Sequence, residues 1–374
     1  MKKVIVSGHI CIDITPSIAA QGDKALGEIL MPGKLLQTGG AFISTGGAVA
    51  NTGLAMKKFG ADVKLIGKVG DDEFGDMILN ILKKHGADSG MVKAKGENSS
   101  YSVVLAIPGI DRMFLHCPGA NNTFSASDVS VDELEDASLF HFGYPPIMEK
   151  MYQNDGEQLI SLMKKVQEAG CATSLDLAAV DANSEAGRAD WEKILAGAMP
   201  YIDFFVPSIE ELCFMIDKER FKDWEKRADA GDMTLVLDIE RDIKPLADKC
   251  MKMGCKVLLL KCGIKGLYMQ TASEDVIMKI SPRLELDAKK WADINLFEAS
   301  FKPSKVLSAT GAGDTSIAAF LTAMLNGEDP KTCIALASAT GACCVEGYDA
   351  LSGLKPLDEL KEKIKAGWEK NNAC

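Results

Sequence analysis

The chain has 374 residues, 47% of them hydrophobic and 25% charged, the balance of a folded protein that buries a core without disulfide or metal staples. Asp and Glu number 53 against 42 Lys and Arg, a formal charge of −11 with no basic cluster to offset it, so nucleic acid is excluded as an expected partner. Thirty-four glycines against 13 prolines point to tight turns and close backbone approaches, and disorder, collagen and coiled coil are excluded.

The opening segment carries only a three-residue apolar run, Val4-Ile5-Val6, before Ser7 and Gly8, too short for the core of a secretory signal. No stretch approaches the ~18 apolar residues of a membrane span. Eleven cysteines run from Cys11 to Cys374 without a C-x-x-C pair, and His9, His85, His116 and His141 complete no zinc spacing. They read as small buried hydrophobes of a reducing cytosol. A cytoplasmic protein with no membrane partner is expected.

Residues 4–6 predict a short buried strand running into Gly8 and Asp13, whereas 15–46 is Gly-rich and weakly periodic and yields no element. A helical pattern runs from Asn51 to Phe59 and stops at Gly60. A strand follows at 63–69, and Phe74, Met77, Ile78, Ile81 and Leu82 recur at helical spacing. Residues 101–107 and 112–117 flank Pro-Gly-Ile-Asp as a hairpin. Alternation then resumes with strands at 138–142, 171–177 and 203–206 and helices at 156–169, 188–198 and 208–216. A helix near 241–254, a strand at 256–260, a hairpin across 266–280 and helices at 313–325, 331–345 and after Pro356 complete the reading. Segments 217–234 and 284–304 read as surface insertions. Alternating strands and helices predict an α/β fold, a mostly parallel sheet covered on both faces, beside which the hairpin and part of 11–45 form a small β-rich flap.

The segment richest in chemistry is Ser308-Ala309-Thr310-Gly311-Ala312-Gly313-Asp314, read as following an apolar strand at 305–307 and opening an apolar helix. Gly311 and Gly313 let a ligand approach the backbone, and unpaired N–H groups at the helix start suit charge developing on a transferred phosphoryl group. A carboxylate beside a phosphate site makes sense as the acceptor of a proton from an attacking hydroxyl. The same residues also suit a plain helix start with Asp on the favourable end of the dipole. Ser316 stands where a dinucleotide fingerprint needs its third glycine, and no P-loop pattern exists anywhere. Near the other end, Gly46-Gly47-Ala48-Val49-Ala50-Asn51 offers backbone N–H groups and an amide, and Asp13 can accept from sugar hydroxyls. A tight turn with Asn51 as helix cap, and a turn Asp13, are the alternatives.

Taken together, G-G-x-x-x-N followed by T-G-A-G-D resembles the ribokinase (PfkB) family of carbohydrate kinases, and the likeness covers nearly the whole chain. The resemblance implies a ribokinase-like three-layer sandwich, one domain over 1–374 with lid segments near 14–45 and 97–120. It implies ATP-dependent phosphorylation of a sugar or polyol hydroxyl, with ATP and Mg²⁺ as cofactors and a homodimer formed through the lid. Asp314 is then the general base, and the backbone of Gly311, Ala312 and Gly313 the anion hole. Asp13, Gly46, Gly47 and Asn51 hold the sugar, joined by Arg112 on the flap, itself equally a solvated hairpin charge. Lys261, Gly263 and Gly266 resemble the family's nucleotide loop, alternatively a hairpin entry between strands, and Ser338 falls near the place of an adenine contact.

Glu211 keeps one position of the family's N-x-x-E, which organises Mg²⁺ through water, but Ser208 replaces the Asn. Ser-x-x-Glu is also a helix capping box, a spacing repeated at Ser130 and Glu133. Ser308 replaces an acidic residue common before T-G-A-G-D. Gly47-Ala48 is nearer the fructokinase form, which favours a free sugar. A nucleoside kinase and a sugar-binding regulator without catalysis are the competing expectations.

Overall fold

A computed structural model of the chain describes residues 2–20, 22, 26–108 and 113–371. The chain opens with β1 (Lys3–Gly8), crosses into β2 (Cys11–Pro16), returns through β3 (Ala41–Gly46) and enters α1 (Ala48–Lys58). It continues with β4 (Asp62–Gly70), α2 (Glu73–Lys84), β5 (Met91–Ala94), β6 (Tyr101–Leu105) and β7 (Met113–Cys117). Then come β8 (Ala137–Gly143), α3 (Glu157–Glu168), β9 (Ala172–Leu175), α4 (Trp191–Ala198), β10 (Phe204–Phe205) and α5 (Ile209–Ile216). The final third holds α6 (Lys218–Ala228), α7 (Lys244–Lys252), β11 (Val257–Lys261), β12 (Gly266–Thr271) and β13 (Asn295–Ala299). Three helices close it: α8 (Ala312–Leu325), α9 (Pro330–Cys344) and α10 (Leu357–Lys365).

Among the described residues a nine-stranded sheet runs β13-β12-β11-β10-β9-β8-β1-β4-β5. Pairing is parallel from β5 to β11, and β12 and β13 add antiparallel strands at one edge. The strands are continuous apolar runs because both faces are covered. Their period of two sorts the side chains: Val4, Val6, Val257 and Leu259 join the core under α1, α8 and α9, whereas Ile5, Leu258 and Leu260 join the core under α3, α4, α5 and α7. The result is the three-layer sandwich expected from the alternation of elements.

A second sheet of four strands, ordered β3-β2-β6-β7, stands beside the first. Only His9 and Ile10 separate β1 from β2, and only Gly47 separates β3 from α1, so this lid is tied directly to the end of the main sheet. Gly47 is required at its hinge: φ is +84°, and a Cβ there would lie 2.5 Å from the His9 carbonyl oxygen. The tip of the β6–β7 hairpin, with Arg112, lies outside the described residues.

Several expectations change. Residues 217–234 are not a bare insertion, since α6 packs a fully buried Trp224 whose Nε1 donates to Asp242 at 3.0 Å. Within 284–304, β13 completes the sheet edge. No hairpin spans 266–280: β12 pairs back on β11 and out on β13, and a short helix, Glu274–Ile277, follows it. Residues 305–307 form no strand but an exposed loop, with Val306 68% exposed. The helix read from Asn51 begins at Ala48, one turn earlier, so Asn51 is not its cap.

No helix among the described residues is long and apolar enough to cross a membrane. The described cysteines are all free and, apart from half-buried Cys117, buried; Cys374 lies outside the described residues.

Candidate active site

Ligands of open α/β sheets bind where the parallel strands end at their carboxyl side. Here those ends deliver His9 after β1, Tyr144 after β8, Asp176 just beyond β9 and Lys261 at the end of β11. Two helix starts, α1 and α8, meet them. A cleft of about 820 Å³ opens between these ends and the lid, lined among others by Asp13, Asn51, His116, Tyr144, Gly311 and Asp314.

Asp314 sits in the first turn of α8 and is 4% exposed. Asn51 Nδ2 donates to its Oδ2 at 2.9 Å, Thr52 Oγ1 to its Oδ1 at 3.4 Å, and the Tyr144 hydroxyl to both oxygens at 2.8 Å. Burial pushes the Asp314 carboxyl above its ordinary value, while Lys261 and the donors from Asn51 and Tyr144 pull it back. A carboxylate so placed is poised to take a proton. Gly311 caps α8 with φ +74°, and a Cβ on it would meet the Ala350 Cβ at 2.4 Å. No side chain caps this helix start. The Ala312 N–H donates to the Ala309 carbonyl at 3.3 Å, which turns one of the three proposed anion-hole donors inward. Lys261 lies against Gly313, its Nζ 3.7 Å from where a Cβ would stand.

Lys261 Nζ donates to Asp176 Oδ1 at 2.6 Å in a pair that is 11% and 2% exposed. Burial raises Asp176 to about 7; Lys261 lowers it, and Glu211 and Asp314 raise it. Glu211 occupies the first turn of α5, where Ser208 and Glu211 form a capping box and the Ser208 N–H donates to Glu211 Oε2 at 3.3 Å. Ser130 likewise accepts from the Glu133 N–H, at 3.3 Å. The Lys261 N–H donates to the Pro207 carbonyl at 3.0 Å, which fixes the α5 entry beside the end of β11.

On the lid side, burial raises Asp13, which accepts from Cys11 Sγ at 3.3 Å. Gly46 is needed against it, since a Cβ would lie 2.2 Å from Asp13 Oδ2. Ser102 on β6 bonds His116 Nδ1 at 3.0 Å, and the His9 and His116 rings lie 5.1 Å apart. Burial, with His116 beside it, holds His9 well below its ordinary value, so the ring is neutral. Its Nδ1 is buried with no hydrogen-bond partner among the described residues.

Gly263 and Gly266 flank the β11–β12 turn with φ +55° and +126°. A Cβ on Gly266 would strike the Glu298 carbonyl oxygen at 2.1 Å, and one on Gly263 would lie 2.7 Å from Thr234 Cγ2. Gly266 pairs with Ala299, whose carbonyl accepts from Ser338 Oγ at 3.2 Å. The residues expected for the nucleotide thus gather at one corner, separate from the sugar-side group and joined to it by Lys261.

Sequence reasoning missed Tyr144, Asp176 and Thr52. The first two are polar residues at the carboxyl ends of buried parallel strands, and that position is the signal that could have found them. Thr52 follows Asn51 in α1 and carries no signal of its own. Among the described residues no group of three or more His, Cys, Asp or Glu is arranged to hold a metal ion.

A family model described as pfkB family carbohydrate kinase matches residues 1–356. An uncharacterized sugar kinase from Archaeoglobus fulgidus is 25% identical over 290 residues, 77% of this chain and 93% of that protein. Probable fructokinase-5 from Arabidopsis thaliana is 27% identical over 318 residues, 80% of this chain and 82% of that one. Among solved structures, Arabidopsis thaliana ribokinase complexed with ribose and ATP matches with a TM-score of 0.69 at 20% identity, covering 98% of this chain and 99% of that one. A nucleoside kinase from Methanocaldococcus jannaschii matches with a TM-score of 0.65 at 18% identity, over 98% of this chain and 99% of its own. These structural likenesses speak for the fold, and the family model, spanning both glycine motifs and the sheet between them, speaks for descent: the chain belongs to the pfkB family of carbohydrate kinases.

Proposed function

We propose that the protein transfers the γ-phosphoryl group of ATP to a hydroxyl of a sugar or closely related polyol. The observation that carries this is Asp314, a buried carboxylate raised by burial, on the first turn of a helix that no side chain caps, in the wall of the cleft. The acceptor hydroxyl gives its proton to Asp314 as its oxygen attacks the γ-phosphorus, and the bond to the bridging oxygen of ADP breaks. Backbone N–H groups at Gly311 and Gly313, with the α8 dipole, oppose the charge that develops. Lys261, against Gly313, supplies a fixed cation to the phosphates. Asp13, Gly46, Gly47 and Asn51 orient the sugar, and Arg112, outside the described residues, is assigned the same task by the family resemblance. Gly263, Gly266 and Ser338 bound the nucleotide.

Mg²⁺ typically binds through one or two carboxylates together with phosphates and water rather than in a protein cage. The donor set fits that mode, with Glu211 the residue that would hold its water shell, and the ion would neutralise phosphate charge. The four-stranded sheet, taken as the lid of a single domain, excludes water from the transfer. Ten free cysteines among the described residues support a cytoplasmic setting. A homodimer through the lid is supported by its edge strands, where Phe42, Ile43 and Leu115 are 49%, 42% and 59% exposed. A monomeric mass by light scattering at micromolar concentration would remove that assembly.

The second reading is a nucleoside acceptor. It is favoured by Pro146, Ile147, Tyr152 and Val180, which add apolar and aromatic surface to the wall of the same cleft. ADP release with Mg-ATP over ketoses, aldoses, sugar acids and nucleosides tests both. Release with free sugars supports the first reading, and release with nucleosides alone the second. Sugar-dependent thermal stabilisation without any release would leave a non-catalytic binder.

A further inference from the structure

Both oxygens of the Asp314 carboxylate are engaged by the chain's own donors. An ionised carboxylate offers about four lone-pair sites. Oδ2 accepts from Asn51 at 2.9 Å, Oδ1 from Thr52 at 3.4 Å, and both accept from the Tyr144 hydroxyl at 2.8 Å. A hydroxyl that is to hand over its proton must come within ~2.6–3.2 Å of the same group. The three resident protons leave about one site, so an arriving hydroxyl takes that site or displaces a donor.

Asn51 and Thr52 belong to α1 and are buried, Asn51 with an edge on the cleft. Tyr144 is different in three respects. It reaches the carboxylate from the end of β8 rather than from α1, and it lines the cleft, as Asn51 does. It shares one proton between two oxygens, and no second partner holds that proton elsewhere. Its backbone is left-handed, φ 72° and ψ 37°, a conformation that strains a bulky residue and persists where the surroundings hold it. The Pro145-Pro146 pair that follows and the His9 ring 6.1 Å away provide that hold. Burial, with Asp314 and Asp176 close by, keeps the phenol protonated and hence a donor.

We propose that Tyr144 is a gate on the base: its hydroxyl stands where the acceptor hydroxyl must stand, keeps water from Asp314 while the cleft is empty, and is displaced when the sugar binds. The inference rests on the kinase reading above. The reaction it suppresses is hydrolysis. There, water gives its proton to Asp314 as its oxygen attacks the γ-phosphorus, the bond to ADP breaks, and inorganic phosphate is released. Tyr144 touches the base rather than the reacting atoms of the substrate, so it is a positioning residue.

The test uses the full chain with Mg-ATP and reads phosphate release without sugar against transfer to the best sugar of the panel. Tyr144→Phe keeps the ring and removes the donor. It should raise the ratio of hydrolysis to transfer at least ~10-fold, the worth of one hydrogen bond to a charged group, and lower KM for the sugar while kcat changes less. A residue of purely structural role would lower both rates and leave the ratio alone, and that result would overturn the gate. Adding Asp314→Asn to Tyr144→Phe should abolish the extra hydrolysis; its persistence would overturn the gate as well. A structure with bound acceptor is independent of any variant: the Tyr144 oxygen should have left both Asp314 oxygens, and retention of both bonds would refute displacement. If the wild-type chain transfers phosphate but the ratio is unchanged in Tyr144→Phe, the gate alone falls. If no member of the panel is phosphorylated, the kinase reading and the gate fall together.

Discussion

Asp314→Asn should separate chemistry from architecture. The substitution removes a buried charge whose ionised form is disfavoured by burial, which by itself stabilises the fold. Against this, three donors converge on the carboxylate, from Asn51, Thr52 and Tyr144. The amide can keep its oxygen towards Asn51 and turn its nitrogen to Thr52 and Tyr144, whose hydroxyls can also accept. Bonds to a charged group, worth ~1.5–3 kcal/mol, become neutral bonds worth ~0.5–1.5 kcal/mol. The two contributions oppose each other, and a net change of ~1–2 kcal/mol in either direction follows. For a chain longer than 250 residues that is a shift of a few degrees, since ~2–4 °C per kcal/mol applies at 150–250 residues. Turnover loses its proton acceptor and should fall ~10²–10⁴-fold. Coupled ADP release with the best sugar measures the rate, and thermal unfolding measures the fold. Turnover within ~10-fold of wild type would refute the base assignment. A melting point lowered by more than ~10 °C would refute the cancellation argued from the three donors.

The Asp176–Lys261 pair predicts a pH signature. Burial lifts Asp176 from 3.8 to about 7, so the folded chain keeps a proton there that the unfolded chain has lost. The stability this contributes is present below about 4 and is lost as pH rises through about 7. Asp176→Asn cannot titrate, so the melting temperature of wild type minus variant should decline across that window; a flat difference would remove the raised value. Gly311→Ala places a Cβ 2.4 Å from Ala350 Cβ at φ +74° and must displace the start of α8. Steady-state kinetics should show kcat reduced by ~10²-fold, the scale of a 1 Å misplacement, and wild-type kcat would contradict the close approach. Trp224→Ala empties a fully buried site and removes one donor from Asp242, which keeps Arg227. Denaturant unfolding should lose ~3–5 kcal/mol, and a loss below ~1 kcal/mol would show that α6 is peripheral.

The strands of the main sheet were legible because covering both faces makes them continuous apolar runs, as at Val257-Leu258-Leu259-Leu260. In the lid the β6–β7 hairpin was legible, but β2 and β3 were not: Cys11-Ile12-Asp13-Ile14-Thr15-Pro16 rests on little core, and its polar positions serve the cleft instead. The helix α6 was hidden by its charges, because Trp224 is its one fully buried side chain. The edge strand β13 was hidden because its residues are mostly half-buried. Conversely, the strand expected at 305–307 had the apolar residues but no neighbouring strand to bond to.

The two glycine motifs were readable because each needs its chemistry within a few adjacent residues: a left-handed glycine, a helix start, and the Asn51 amide in one or the Asp314 carboxylate in the other. Read alone, the sequence pointed to the family, the α/β class and a candidate base, all written in local spacing. Tyr144 and Asp176 have no such neighbours to announce them. Tyr144 meets Asp314 across 170 residues of chain, and it does so only because strand order sets the end of β8 against the start of α8. Which groups surround a buried carboxylate, and so whether it is free or occupied, is decided by packing between distant strands and helices, which no short stretch of sequence records.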